Sequence, residues 1–271
     1  MAFCYIDGQF MDTKDARLPV TDLALQRGVA VFDSIRSYSG RPFAMAPHLE
    51  RLFESARLSG IACSFSEEEI GGIVREGLSR MPGDGLAKVF LTGGDVEEFG
   101  SFPRPRLLIL FSEVAPPPEE FFTKGAALSI LPEERSLHRV KSINYMIPCI
   151  NHAPGTFEPL YCGGGEITES ATSSFFAVAG NNLITAPGHR VLRGITREIV
   201  IDLARRDGFN VEFRCLPLSE LPHLDEAFIT GSVKEITPVT MVGETMIGDG
   251  VPGPVTRRIY ELFRENIPLY L

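Results

Sequence analysis

The chain has 271 residues, 44% hydrophobic and 23% charged, with a formal net charge of −9. This is the balance of a globular protein large enough to bury a core without staples, and its charge argues against a broad nucleic-acid footprint. No apolar run approaches the roughly 18 residues of a membrane span, and five cysteines without a C-x-x-C pair point to a reducing, cytoplasmic setting with no zinc site.

Residues 3–11 carry Asp7-Gly8 at their middle, a turn pair that predicts a hairpin. A second hairpin is expected from 30–37 and 41–45 around Ser39-Gly40. Pro47 opens a helix whose Leu49, Leu52, Phe53 and Ala56 fall on one face, ending at Gly60. Ser66-Glu67-Glu68-Glu69 is a capping-box pattern ahead of Ile70, Ile73, Val74 and Leu78. Residues 88–91 and 107–111 read as buried strands. The proline-rich segment 113–120 cannot continue a helix or a central strand and is expected to be a linker. It separates a smaller N-terminal α/β domain, 1–112, from a larger C-terminal domain, 121–271. In the second part, 126–131, 160–167, 175–179, 211–215 and 227–230 read as strands. Helices are expected over 195–206, closed by Gly208, and over about 254–265. Strand-rich halves with segregated helices predict an α+β fold of two domains.

Several segments carry candidate chemistry. Gly248-x-Gly250-x-x-Gly253 matches a dinucleotide fingerprint literally, but only 18 residues follow it and no βαβ unit can form; a turn into the last helix is the expectation. Leu192-Arg193-Gly194-Ile195-Thr196-Arg197 places a glycine turn before a helix. The unpartnered amides of such an end, the helix dipole and the Thr196 hydroxyl make an anion pocket, although an ordinary helix start explains the same residues. Lys141 lies in S-L-H-R-V-K-S-I-N-Y over 136–145, either as part of a solvated basic run or as a nucleophilic amine among Val140, Ile143 and Met146. The strand-to-loop stretch Thr168-Glu169-Ser170-Ala171-Thr172-Ser173-Ser174 offers small hydroxyls and a carboxylate that can face a ligand nitrogen. Arg51 sits in H-x-x-R-L early in a helix. Thr230-Gly231-Ser232 ends a strand with amides and a hydroxyl suited to an anion.

The order H-x-x-R-L, Lys141, T-E-S, L-x-G-I-T-R and G-S-x-x-E-I-T-P-V resembles the class IV aminotransferases, fold-type IV pyridoxal-phosphate enzymes, over essentially the whole chain. The resemblance implies pyridoxal 5′-phosphate as cofactor and an active site between two domains. It implies Lys141 as the residue that binds the cofactor's aldehyde carbon and then shuttles a proton, and Glu169 as the carboxylate facing the pyridine nitrogen. Arg51, Ile195, Thr196 and Ser232 match the phosphate cup, and Tyr145 the tyrosine that reaches the ring oxygen. Tyr145 stands four residues after the lysine, where the branched-chain pattern has five.

Leu25 to Tyr38 resembles the branched-chain pattern H-Y-G-x-x-V-F-E-G-I-R-x-Y, with Asp33 at the acid. Arg27, Phe32, Arg36, Lys88 and Val233 are candidate substrate-pocket residues. Lys88 stands in place of a strand arginine of branched-chain enzymes, and Gly93 where D-amino-acid enzymes carry arginine. The function implied is transfer of an amino group between an amino acid, branched-chain in the first reading, and a 2-oxo acid by a ping-pong mechanism. Alternatives are an aminodeoxychorismate lyase, a D-amino-acid or R-amine transaminase, and a non-catalytic binding protein on this fold. A homodimer is implied.

Overall fold

Asp7 and Gly8 both take positive φ, 50° and 82°, and the chain reverses there as the turn pair requires. Strands β1 (Phe3–Ile6) and β2 (Gln9–Asp12) pair antiparallel across them. The coordinates are a computed structural model that describes residues 2–114 and 118–271. They fall into two compact units, Met1–Ala115 with Val140–Asn144 and Pro268–Leu271, and Pro116–Arg139 with Tyr145–Ile267.

In the first unit, Asp22 caps helix α1 (Leu23–Arg27), which Gly28 ends at φ 67°. Strand β3 (Ala30–Tyr38), β4 (Arg41–Pro42), helices α2 (Met45–Leu58) and α3 (Glu67–Ser79), β5 (Gly85–Thr92) and β6 (Leu107–Glu113) follow. Among the described residues the strands make one sheet in the order β2-β1-β6-β5-β3-β4. The second hairpin is shorter than expected, because Met45, read as strand, already opens α2. The capping box on α3 is present, with Ser66 Oγ accepting from Glu69 N and Glu69 Oε2 accepting from Ser66 N. Leu107, Ile109 and Phe111 alternate inward along β6 and join Leu49, Leu52, Ile70, Val74 and Leu78 in one core. Gly77 permits that packing, since a Cβ there would stand 2.1 Å from the Phe111 ring.

The second unit holds α4 (Glu120–Lys124), β7 (Ala126–Leu131), α5 (Met146–Ile150), β8 (Glu158–Tyr161), β9 (Glu166–Ile167), β10 (Ser174–Ala179) and β11 (Asn182–Thr185). Helix α6 (Ile195–Arg206), β12 (Asn210–Phe213), β13 (Leu216–Pro217), β14 (Glu226–Gly231), β15 (Glu235–Val242), β16 (Thr245–Met246) and α7 (Pro254–Asn266) complete it. Its main sheet runs β12-β11-β10-β14-β15-β7-β8, with β16 beside β15. The run expected as one strand over 160–167 is broken by a 3-10 turn at Gly163–Gly165, where Gly164 and Gly165 take φ 63° and 81°. Three successive glycines offer no side chains to hold a strand. Residues 235–242, read as a turn and motif, form the long strand β15. Phe175, Ala177, Ala227 and Ile229 face one core, while Phe176 and Phe228, alternating to the other side, stack at 4.9 Å.

Two expectations about domains need correction. The segment 113–120 is only partly a connection, since β6 runs to Glu113 and Glu120 opens α4; residues 115–117 lie outside the described residues. Lys141, expected in the C-terminal domain, belongs to the first unit. The start of β3 pairs with β5 on one edge, and the other edge still carries amides and carbonyls that need partners. The segment around Lys141 supplies them: Phe32 N donates to Lys141 O at 2.9 Å and Ile143 N to Ala30 O at 3.2 Å.

Candidate active site

In the first unit the backbone at Lys141 is fixed twice, through Phe32 N and through Ser55 Oγ of α2, which accepts from Lys141 N at 3.1 Å. Its half-buried side chain places Nζ 4.9 Å from the centroid of the Phe32 ring, in cation–π range. Phe32 in turn stacks on Phe90 at 5.5 Å. Asn144, three residues on, reaches Gly28: a Cβ at that glycine would meet Asn144 Oδ1 at 2.7 Å.

Arg51 lies in the same unit, buried with Asp33 and His48. Asp33 Oδ2 accepts from Arg51 Nε and Oδ1 from Arg51 Nη2, both at 2.8 Å. His48 Nδ1 stands 2.7 Å from Asp33 Oδ1 and donates to it, since a carboxylate can only accept. Burial works to raise the Asp33 carboxyl pKa, but the Arg51 charge and the hydrogen bonds from His48 and Arg51 overcome it and hold the group well below the usual carboxylate range. Burial, opposed by Asp33, lowers the His48 pKa, and the Arg51 and Lys141 charges add to that. His48 is therefore neutral, with a buried Nε2 that has no hydrogen-bond partner among the described residues. Positions 48 and 51 share a helix face, so the H-x-x-R spacing itself delivers both side chains to Asp33.

In the second unit Glu169 is buried at the end of the β9 segment. Its Oε1 accepts from Leu192 N at 3.2 Å and its Oε2 lies 3.6 Å from Arg135 Nη1. Burial disfavours the Arg135 charge, but Glu169, Tyr145 and Tyr161 outweigh it and raise its pKa. Two residues beyond Leu192, Gly194 opens α6, and among the described residues no side chain is hydrogen-bonded to the amides of Ile195 and Thr196. A Cβ at Gly194 would sit 2.5 Å from Ser174 Oγ, so the hydroxyl loop after Glu169 runs directly against the helix start. The same loop reaches Gly231, whose Cβ would lie 3.7 Å from Ser173 Oγ. Ile195 and Thr196 are buried in the first turn of α6 and Ser232 is half-buried beside Gly231. Arg197 tethers the turn, its Nη2 donating to Ala186 O at 2.6 Å.

Glu169, Ile195, Thr196 and Ser232 are thus gathered in one unit, and Lys141 and Arg51 in the other. Tyr145, half-buried, hydrogen-bonds Arg135 in the second unit. The substrate-pocket candidates scatter more. Arg27 is exposed and pairs with Glu97 at 2.7 Å; Lys88 is exposed on β5. Arg36 is buried, 3.4 Å from Asp84 and over the Tyr38 ring, and Val233 is half-buried. Sequence reasoning missed Arg135, which stands just ahead of the basic run 136–145 and carries no motif of its own. It also missed the Glu158–Lys234 pair, for which strand and turn residues 76 positions apart carry no shared pattern.

The family model for "Amino-transferase class IV" matches residues 30–242. The chain belongs to the class IV aminotransferases. A Methanocaldococcus jannaschii protein with a provisional branched-chain-amino-acid aminotransferase assignment is 31% identical over 96% of this chain and 95% of its own length. The D-alanine aminotransferase of Bacillus licheniformis is 28% identical over 96% and 95%. Among solved structures, the T.th. branched-chain amino acid aminotransferase with pyridoxamine 5′-phosphate superposes with a TM-score of 0.89 at 25% identity, covering 99% of this chain and 95% of that one. The Escherichia coli branched-chain enzyme gives 0.89 at 26% over 98% and 94%.

The fold is that of this α+β family, the protein is a transaminase, and its cofactor is pyridoxal phosphate. The residues fit that group. A helix end without a side-chain cap, closed in by a glycine where a Cβ would collide, suits a phosphate dianion. A buried carboxylate bonded to Leu192, two residues before that glycine, suits a protonated ring nitrogen. Among the described residues no His/Cys/Asp/Glu cluster could hold a metal, and no helix is long and apolar enough to cross a membrane.

Proposed function

We propose that this aminotransferase moves the amino group of a branched-chain amino acid to a 2-oxo acid, with Lys141 as its catalytic amine. Bound pyridoxal phosphate supplies the aldehyde carbon that takes up the amino group and a ring that accepts the electrons released at Cα. Lys141 would hold that carbon through Nζ, and its free amine would take the proton from the substrate Cα. Glu169 keeps the ring nitrogen protonated. The α6 amides at Ile195 and Thr196, with Ser232 and Arg51, hold the phosphate, and Tyr145 addresses the ring oxygen. Phe32, against which Lys141 rests, lines the substrate side with Arg36 and Val233; Arg27 and Lys88 complete the set of carboxylate candidates.

One observation carries this reading: the carboxylate of Glu169 is bonded to Leu192, two residues before a helix start whose first amides meet no side chain among the described residues. A homodimer is part of the proposal and is supported by Met146, Ile147 and Ile150, exposed together on α5 at 76%, 48% and 71%. A cytoplasmic location is supported by five free cysteines.

Borohydride reduction of the holoenzyme followed by peptide mass analysis tests the lysine. The cofactor mass is expected on Lys141, and Lys141→Ala is expected to lose at least about 10³-fold in turnover. Mixing the holoenzyme with single L- and D-amino acids and watching the cofactor absorbance tests the substrate. Conversion by L-leucine, L-isoleucine or L-valine supports the proposal. Conversion by D-alanine alone, or pyruvate release from aminodeoxychorismate alone, overturns it.

A further inference from the structure

The turn that carries Ser232 ends in a lysine that the transamination chemistry does not use. Lys234 is mostly buried and its ammonium sits 2.9 Å from Glu158 Oε2 at the start of β8. The same nitrogen donates to Thr172 Oγ1, donates to Ser173 Oγ at 3.1 Å, and lies 4.7 Å from the Phe157 ring centroid. Glu158 also accepts from Thr172 N at 3.0 Å and Thr172 Oγ1 at 2.7 Å. Lys234 O accepts from Thr237 Oγ1 at 3.0 Å, which anchors the turn to β15. One ion pair therefore ties together β8, the hydroxyl loop 170–174 and the β14–β15 turn.

We propose that Lys234 is a positioning residue for the phosphate cup: with Glu158 as its buried counter-charge, it locks the Ser232 turn and the 170–174 loop into the shape that receives the cofactor's phosphate. The proposal rests on the phosphate-cup reading above. Ser232 stands two residues from Lys234, and the loop that Lys234 grips at Thr172 and Ser173 continues into Ser174, which abuts Gly194 at the start of α6. Fixing that loop fixes both walls of the cup. The charge arithmetic points the same way. Glu158 is 4% exposed, and its Oε1 is buried without a hydrogen-bond partner among the described residues. Burial favours its neutral form, but Lys234, Ser173 and Thr172 overcome that and lower its pKa, so it stays charged. Without Lys234 the loop beside a dianion site would hold an uncompensated carboxylate, which costs far more than losing both charges together.

The test measures cofactor capture, not turnover. Apo protein is titrated with pyridoxal phosphate and, separately, with pyridoxal, which lacks the phosphate, for wild type, Lys234→Met, Lys234→Arg and the double variant Glu158→Gln/Lys234→Met. Urea unfolding of each apo protein is run alongside. Lys234→Met is expected to weaken pyridoxal phosphate at least about tenfold, the loss of one or more charge-assisted hydrogen bonds. Pyridoxal affinity is expected to stay within about twofold, with Lys234→Arg recovering most of the loss. The double variant is expected to regain apo stability, since no carboxylate is left uncompensated, but not the affinity, since it still lacks the grip on Thr172 and Ser173. Equal weakening of both ligands, or unchanged affinity for pyridoxal phosphate, overturns the proposal. Should Lys234→Met fail to fold, the double variant and Lys234→Arg decide it: unchanged affinity for pyridoxal phosphate in the double variant, or its loss in Lys234→Arg, overturns the proposal. Failure of the wild-type protein to capture pyridoxal phosphate would instead overturn the phosphate-cup reading, and this proposal with it.

Discussion

Two helices of the second unit open at a glycine, and their amino ends are built differently. At α7 the first-turn amides are already taken: Glu226, a buried acid on β14, accepts from Val255 N through Oε1 and from Thr256 N through Oε2, each at 2.8 Å. A Cβ at Gly253 would collide with that carboxylate at 2.1 Å. At α6 no side chain takes the role, and the glycine faces a loop of small hydroxyls. The protein supplies its own anion to one helix end and none to the other. Only the latter remains a place for an anion from outside, although the literal dinucleotide fingerprint sits at the former. Arg51 makes a third case, a cation whose Nε–Nη2 edge is held by the protein's own Asp33.

The largest effect expected from this contrast concerns that third case. If Asp33 serves Arg51 as Glu226 serves α7, Asp33→Ala strands a buried guanidinium and should cost about 3–5 kcal/mol of stability by urea unfolding. Asp33 contributes stability above the ordinary carboxylate pKa, about 3.9, and loses it as pH falls through its lower folded value. His48 acts at milder acidity. Its folded pKa is lowered, so the unfolded chain takes up a proton that the folded one refuses once pH drops below about 6.5. Wild-type stability should therefore decline from pH 7 to pH 5, and His48→Gln should flatten that decline by up to about 1.4 kcal/mol per pH unit. A wild-type profile that is level over this range contradicts the buried neutral histidine.

What the sequence revealed of these three places follows from how local each is. The G-I-T-R helix start, the capping box on α3 and the Asp7-Gly8 turn are written within a few residues, and the structure keeps all three. The Glu226 cap joins a strand to a helix nearly 30 residues later, and an acid in a strand does not announce a backbone partner. Lys141 was singled out through motif order, but its place in the first unit was not legible, because pairing to the open edge of β3 is a long-range event without local signature. Arg135 was lost for the opposite reason: its neighbours Glu133 and Glu134 and the basic run after it look like a solvated face, and only the fold places it on Glu169.

A smaller effect is expected at α7. Glu226→Ala removes two charge-assisted bonds and leaves both amides in a partly buried setting, which should cost about 2 kcal/mol in urea unfolding. Affinity for pyridoxal phosphate should be unchanged. A variant that keeps its unfolding midpoint but loses the cofactor would mean that the α7 end serves the ligand, and the contrast between the two helix starts would collapse.

The smallest effect is at α6 and is the most selective. Thr196 is 3% exposed in the first turn, so Thr196→Val keeps the shape of the side chain and deletes only the hydroxyl. If that hydroxyl completes a phosphate site, pyridoxal phosphate should bind about 5- to 10-fold more weakly, the worth of one hydrogen bond of about 1 kcal/mol. Apo stability should hold or rise slightly, because an apolar group replaces a buried polar one that has no ligand to meet. Pyridoxal, lacking the phosphate, should bind both proteins alike. An ordinary helix start predicts the reverse: a loss of stability in the apo protein with no change in cofactor affinity. Fluorescence titration and urea unfolding of the same two proteins therefore separate an anion site from a cap at the start of α6.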